Sequence, residues 1–216
     1  MTKMIQLALL GLLATGLVNA EPASKVAWTP EQLNFVKNGN GSHGKELAAS
    51  CSACHGEQGI SQMPNFPSLA GQLATYTYKQ LRDYKDGSRS DIAMSPQAAN
   101  LSDQDMADLA VWFSSLPPAE NKTSDQNLDA AELLVTKGDG KRTLPPCFVC
   151  HGSNGQGEKM DIPALAGQQE DYLIATLNAY KDGSRHNDIY SRMRLLSQQL
   201  SDTEIRELAR YYQQMN

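Results

Sequence analysis

The chain has 216 residues, a formal net charge of −5, 40% hydrophobic residues and only 6% aromatic ones. No nucleic-acid partner is expected of so acidic a chain. Beyond its first twenty residues no stretch is apolar enough to cross a bilayer.

Residues 1–20 read as a signal peptide. Lys3 supplies the basic end, Ile5 to Val18 the mostly apolar stretch, and Val18-Asn19-Ala20 the small-residue cleavage site. The apolar run is short for a span of about 20 residues, which favours cleavage after Ala20 over a retained anchor.

Next come a polar lead-in from Glu21 to Trp28 and then Thr29-Pro30-Glu31, an N-cap followed by proline at the first helical position. A short helix should run from there to Gly39 and Gly41. A second helical piece, Gly44 to Cys51, should deliver the run Cys51-Ser52-Ala53-Cys54-His55.

That run has the Cys-x-x-Cys-His pattern by which a c-type haem is attached. Two thiols add to the porphyrin vinyl groups, and the adjacent histidine ligates the iron from one face. It recurs as Cys147-Phe148-Val149-Cys150-His151, and the two runs together use every cysteine in the chain. A thioredoxin-like redox pair or half of a zinc site would explain one copy less well than haem explains both. Two haem c groups are therefore expected, with His55 and His151 as iron ligands. A porphyrin is also a large apolar body, and it would supplement cores otherwise thin in aromatic side chains.

After His55 a glycine-containing loop leads to Pro67. Ser68-Leu69-Ala70-Gly71-Gln72 is expected to open a helix through about Tyr84, which stops at the glycine signal Asp86-Gly87. A loop carrying Met94 and Pro96 follows. The last helix of this half starts at Ser102, with Met106, Leu109, Ala110 and Phe113 as its apolar stripe, and ends before Pro117-Pro118. The polar segment after the proline pair, residues 119–127, is the expected linker between a first domain at 21–118 and a second at 128–216.

The second half replays the first. The offset between the haem motifs is 147 − 51 = 96, and it carries Leu69-Ala70-Gly71-Gln72 onto Leu165-Ala166-Gly167-Gln168 and Tyr84-Lys85-Asp86-Gly87-Ser88-Arg89 onto Tyr180-Lys181-Asp182-Gly183-Ser184-Arg185. Further on, Leu101-Ser102-Asp103 matches Leu200-Ser201-Asp202 at an offset of 200 − 101 = 99. A tandem duplication with a three-residue insertion accounts for both offsets. Ser201 and Glu204 form a capping box at the last helix start.

A sixth iron ligand should lie at a position present in both halves. Met94 precedes its Leu-Ser-Asp by 101 − 94 = 7 residues, and Met193 precedes its own by 200 − 193 = 7. Thioether is an established partner of haem histidine, so Met94 and Met193 are the candidates. Met63 and Met160 belong to loops at the haem edge, Met106 to the core, and His43 and His186 to the solvated surface. Pro67 and Pro163 each follow the haem histidine by twelve residues (67 − 55 and 163 − 151). A carbonyl held there can accept the second ring N–H and fix the tautomer. Arg89 and Arg185 are candidates for binding haem propionates.

The paired haem motifs, Leu-Ala-Gly-Gln runs, Tyr-Lys-Asp-Gly-Ser-Arg runs and Met…Leu-Ser-Asp endings resemble the cytochrome c4 family. The resemblance implies an all-α fold of two class I cytochrome c domains, each wrapped around one haem, with the domains paired about a pseudo-twofold axis and the propionates near their interface. It implies His/Met ligation of both irons and electron transfer towards a terminal oxidase, from a donor cytochrome complex or a dehydrogenase. Haem attachment of this kind takes place outside the bacterial cytoplasm, so the periplasm is the expected location, with or without peripheral membrane association. Two departures stand out: Thr143-Leu144-Pro145-Pro146 must break the helix entering the second motif, and His186 to Arg192 is longer than its counterpart.

With six ligands on each iron no position is open to a substrate, so an electron carrier is expected rather than an enzyme. Two other readings stand beside it. One is the electron-accepting subunit of a dehydrogenase, such as a sulfide-oxidising flavocytochrome. The other is a dihaem redox enzyme in which one methionine is displaceable.

Overall fold

A computed structural model describes residues 23–120, 127–158 and 160–215. The expected signal peptide at 1–20 and most of the expected linker lie outside the described residues. Among the described residues the secondary structure is helical, with two isolated β-bridges and no strand. Among the described residues no helix is long and apolar enough to cross a membrane.

In the first half α1 (Pro30–Lys37) starts as the sequence predicts, with the Thr29 hydroxyl accepting from the Gln32 N–H and Pro30 in the first turn. The second piece begins earlier than expected. The Asn40 side chain accepts from the N–H groups of Ser42 and His43, which sets the start of α2 (Gly41–Ala48). A 3₁₀ turn, Ala49–Cys51, then leads into α3 (Ser52–His55).

The helix expected from Ser68 instead begins at α4 (Ala74–Asp86). Gly71 lies in the left-handed region at φ +71°, which a helix cannot contain, and its N–H donates to the Phe113 carbonyl. The segment 68–72 is thereby spent on a turn. The Met94 region differs in the opposite sense: it is the short helix α5 (Met94–Ala99) rather than a loop. The Asp91 carboxylate accepts from the N–H groups of Ala93 and Met94, and Pro96 falls in the first turn, where its missing N–H costs nothing. Finally α6 (Asp103–Ser115) carries a capping box between Ser102 and Asp105.

α6 crosses α2 and α4, and the crossing is close because Gly39 and Gly44 face it. A Cβ built on Gly44 would stand 2.0 Å from the Asp108 carbonyl oxygen. Two apolar clusters result, one around Val36, Tyr78 and Met106 and one around Ala48, Leu109 and Phe113.

The second half repeats the plan with α7 (Asp129–Lys137), α8 (Phe148–His151), α9 (Glu170–Asp182), α10 (Arg192–Ser197) and α11 (Asp202–Gln214). α11 packs on α7 and α9 over a single cluster that includes Val135, Leu173, Ile205 and Tyr212. The helix entering the second haem motif is broken, as the proline pair requires: α7 ends at Lys137, and a turn closed by the Asp139–Leu144 bridge runs straight to Cys147. The longer loop before Met193 contains a 3₁₀ turn in which Tyr190 and Ser191 both have positive φ, at 58° and 56°.

Candidate haem sites

Each Cys-x-x-Cys-His run sits on a single helical turn that ends at a glycine with positive φ, Gly56 at 79° and Gly152 at 84°. That reversal sends the chain back past the histidine. A Cβ on Gly56 would meet the Ile60 carbonyl oxygen at 2.1 Å, so the turn admits no side chain. The four cysteines are half-buried and unpaired. Burial pushes the Cys147 thiol up to about 11, a group kept neutral rather than a reactive thiolate.

His55 is buried, and its Nδ1 lies 2.8 Å from the Pro67 carbonyl oxygen. His151 is also buried, with Nδ1 3.0 Å from the Pro163 carbonyl oxygen. A carbonyl only accepts, so Nδ1 must carry the proton in each ring, which leaves Nε2 as the lone pair. In His55 that Nε2 is buried with no hydrogen-bond partner. Desolvation holds both imidazoles below their ordinary pKa, against the smaller opposing effect of the carbonyl bonds. A buried, neutral imidazole whose lone pair has no protein partner fits the role of a metal ligand.

Met94 opens α5 and Met193 is the second residue of α10, so the duplication places both methionines in the first turn of corresponding short helices. Both are half-buried. Of the other residues weighed from sequence, Met106 is fully buried in the first core, Met160 is exposed and His186 is exposed. His43 departs from a simple surface histidine: its Nδ1 lies 2.8 Å from the carboxylate of buried Asp108, which raises its pKa.

Arg89 and Arg185 converge between the halves. The Arg185 guanidinium lies over the Tyr180 ring and donates across the boundary to the Tyr76 hydroxyl and to Gln80 Oε1, at 3.1 and 3.0 Å. Arg89 lies over Tyr84, donates to Gln80 Oε1 at 2.8 Å and reaches the Tyr172 hydroxyl at 3.4 Å. Among the described residues no carboxylate forms an ion pair with either guanidinium, and Arg185 has a buried terminal nitrogen without a partner. Burial alone would raise the Tyr172 pKa, yet the two cations pull it down to about 7. Two positive charges, Arg185 buried and Arg89 half-buried, with no carboxylate paired to either, call for an anion.

The thiols, the histidine lone pairs and the unneutralised cations are the donor set that haem requires: thioether sulfurs, an axial nitrogen and propionate partners. The residues fit the group.

Sequence reasoning did not single out the glutamines that join the halves. Gln72 Oε1 accepts from the Ala164 N–H and its Nε2 donates to the Ala164 carbonyl, both at 3.0 Å. Gln168 does the same with Ser68, at 2.8 and 2.9 Å. Both glutamines lie in the repeated Leu-Ala-Gly-Gln run. Their repetition at surface-compatible positions was the available signal. Lys79, Asp83 and Asn187, buried at the same boundary, were also missed, and no repeat marks them because Lys79 and Asp83 correspond to Ala175 and Ala179.

The family model for cytochrome c matches residues 42–117 and again 139–216. The chain is 37% identical over 186 residues to cytochrome c4 of Azotobacter vinelandii, covering 81% of this chain and 89% of that one. It is 37% identical over 170 residues to a thiosulfate dehydrogenase electron acceptor of Stutzerimonas stutzeri, covering 76% and 78% of the two chains. The crystal structure of reduced recombinant cytochrome c4 from Pseudomonas stutzeri matches with a TM-score of 0.80 at 34% identity, over 82% of this chain and all of that one. Two tandem cytochrome c domains, two haem c groups and electron transfer in place of catalysis follow, and the chain belongs to the cytochrome c4 family.

Proposed function

We propose that the chain is a periplasmic electron carrier, cleaved after Ala20, in which His55 with Met94 and His151 with Met193 ligate two irons. The two domains of the carrier are residues 21–118 and 128–216, joined by 119–127. The observation that carries this reading is the His55 ring, held by Pro67 through Nδ1 with its buried Nε2 left without a partner. When bound, each haem supplies a one-electron ferric/ferrous couple.

The protein's own groups do the rest. Cys51, Cys54, Cys147 and Cys150 tether the two groups covalently. The Pro67 and Pro163 carbonyls fix the imidazole tautomers and make the rings stronger donors. Met94 and Met193 are weak donors, and together with the apolar surroundings they favour the ferrous state, which gives fairly positive potentials. Arg89 and Arg185, which meet at the domain boundary, would hold the propionates. The direction of transfer is from a donor cytochrome complex or dehydrogenase towards a terminal oxidase.

An optical spectrum of the mature, haem-loaded protein tests the ligation. Ferric protein should show sulfur-to-iron charge-transfer absorption from both haems, and ferrous protein should ignore carbon monoxide. Ready binding of carbon monoxide at one haem would replace the carrier with a redox enzyme at that site.

The relative named as a thiosulfate dehydrogenase electron acceptor supports a second reading in which the donor is a sulfur-compound dehydrogenase. Co-purification with such a dehydrogenase, and reduction of both haems by it, would decide in its favour over a general respiratory donor.

A further inference from the structure

The two methionine loops are supported differently. In the first domain the support is local and exposed: the Asp91 carboxylate holds the N–H groups of Ala93 and Met94, and Asp91 and Ser95 bond to each other. Arg89, at the start of this loop, reaches the Tyr172 hydroxyl at 3.4 Å, but among the described residues no hydrogen bond joins residues 90–94 to the second domain.

The loop before Met193 rests on the other domain. Asn187 is 1% exposed, and its side-chain amide donates to Asp83 Oδ2 at 2.6 Å and to Gln80 Oε1 at 3.0 Å, both on α4. Its carbonyl accepts from Lys79 Nζ at 2.7 Å. Lys79 and Asp83 pair at 2.6 Å, and Ser24 closes the network on the other carboxylate oxygen at 2.5 Å. One residue further on, the Asp188 carboxylate accepts from the Arg194 backbone N–H at 3.0 Å and from its guanidinium at 2.7 Å. Arg194 also donates to the Ser191 hydroxyl. Asn187 and Asp188 thus grip the segment 189–194 at its start and finish, and this segment contains Met193 and the two strained residues Tyr190 and Ser191. Backbone held at positive φ without glycine needs such external fixing.

The duplication sharpens the contrast. In the second domain the positions of Lys79 and Asp83 hold Ala175 and Ala179, so no reciprocal charged pair supports the Met94 loop. A buried lysine and aspartate are costly to desolvate, and they persist here where their spare hydrogen-bonding capacity reaches a neighbouring domain's loop.

We infer that the Lys79–Asp83–Asn187 cluster is a positioning device by which the first domain holds Met193 in place, so that the second haem's methionine ligation depends on domain docking while the first haem's does not. This rests on the assignment of Met94 and Met193 as ligands. A disturbance of the domain boundary, as in docking to a redox partner, would then loosen the second haem alone.

The test uses the full haem-loaded chain and reads ferric charge-transfer absorption and ferrous carbon monoxide binding. Met94→Ala and Met193→Ala come first: each should remove one haem's share of the absorption, and if Met193→Ala removes none, the ligand assignment itself fails. In the Met94→Ala background, Asn187→Ala should abolish the remaining absorption and admit carbon monoxide at the second haem. In the Met193→Ala background it should leave the first haem's absorption untouched. Lys79→Ala/Asp83→Ala, which copies the residues of the second domain, alters only first-domain groups and should reproduce the effect of Asn187→Ala. Full absorption in both the Asn187 and the Lys79/Asp83 variants overturns the inference, and so does an effect of Asn187→Ala alone, which would make the support local to the loop. If the double variant fails to load haem in the first domain, Lys79→Gln, too short to keep its bond to the Asn187 carbonyl, takes its place with the same two outcomes.

Discussion

Gln72 and Gln168 make the same pair of hydrogen bonds in opposite directions across the domain boundary, Gln72 with the backbone of Ala164 and Gln168 with the backbone of Ser68. Since 168 − 72 and 164 − 68 both equal 96, the two halves are related by a pseudo-twofold axis that passes between these bonds. Each glutamine amide satisfies one backbone donor and one acceptor that a lone domain would offer to water, buried at Ser68 and half-buried at Ala164.

Gln168→Ala should therefore cost about 1–3 kcal/mol, because it strands the Ser68 N–H and carbonyl in a buried place. Gln72→Ala should cost less, because Ala164 is only half-buried, and the double variant less than the sum, since one opened boundary needs no second opening. Denaturant unfolding of the three variants checks this. Strict additivity would show that the two pairs act independently.

Gly44 and Gly140 make a matched test of packing. Alanine at Gly44 gains roughly 1 kcal/mol in helix propensity. Its Cβ, however, would press on the Asp108 carbonyl at 2.0 Å, where α2 crosses α6. Overpacking of that kind costs about 1–3 kcal/mol, and against backbone it should win, so that Gly44→Ala destabilises the first domain. Gly140 has nothing within 4 Å of a Cβ, and Gly140→Ala should lie within about 0.5 kcal/mol of the parent. Thermal unfolding distinguishes the two.

Acid should weaken the second domain through Glu204. Arg142 grips that carboxylate with two nitrogens, at 2.7 and 3.0 Å, and Ser201 adds its N–H and hydroxyl. Arg142 chiefly, with Ser201 assisting and burial opposing, lowers Glu204 from 4.5 to about 2. A group depressed in the folded state stabilises fully above its unfolded pKa and loses that contribution as pH falls through the folded one. The difference in unfolding free energy between the parent and Arg142→Ala should thus be largest above pH 4.5 and fade towards pH 2. Solvent screening keeps it to about 1 kcal/mol or less. A difference that does not change with pH would mean that Arg142 acts by packing alone.

Removing one haem should unfold one domain. The first-domain core is split into two clusters bridged by the partly buried Leu81 and Leu101, and α3 is only four residues long. Haem binding free energy is folding free energy for such a domain. Cys51→Ser/Cys54→Ser should lose the helical signal and protease resistance of the first half while the second keeps its haem. Retention of a protease-resistant first half would show that its side chains fold it unaided.

Much of this molecule was legible before any fold was known. The Cys-x-x-Cys-His spacing, the twelve-residue distance from each histidine to its proline, the methionine positions and the 96-residue repeat are local or periodic, so covalent geometry and helical pitch suffice to read them. The cap at Thr29 and the box at Ser201 and Glu204 were legible for the same reason. The α4 start was not, because Gly71 takes its positive φ from a bond to the Phe113 carbonyl, 42 residues away (113 − 71). Nor was α5, whose Pro96 looks like a breaker until its place in the first turn is known. Arg89 and Arg185 were legible as repeated candidates for the propionates, and a place for them near the domain boundary came only from the family resemblance. What tertiary structure alone decided is how those cations meet Gln80, Tyr76 and Tyr172, and how Lys79 and Asp83, which break the repeat, reach Asn187 in the other domain. Such pairings bring together residues a hundred positions apart, and only the docking of two folded halves sets them.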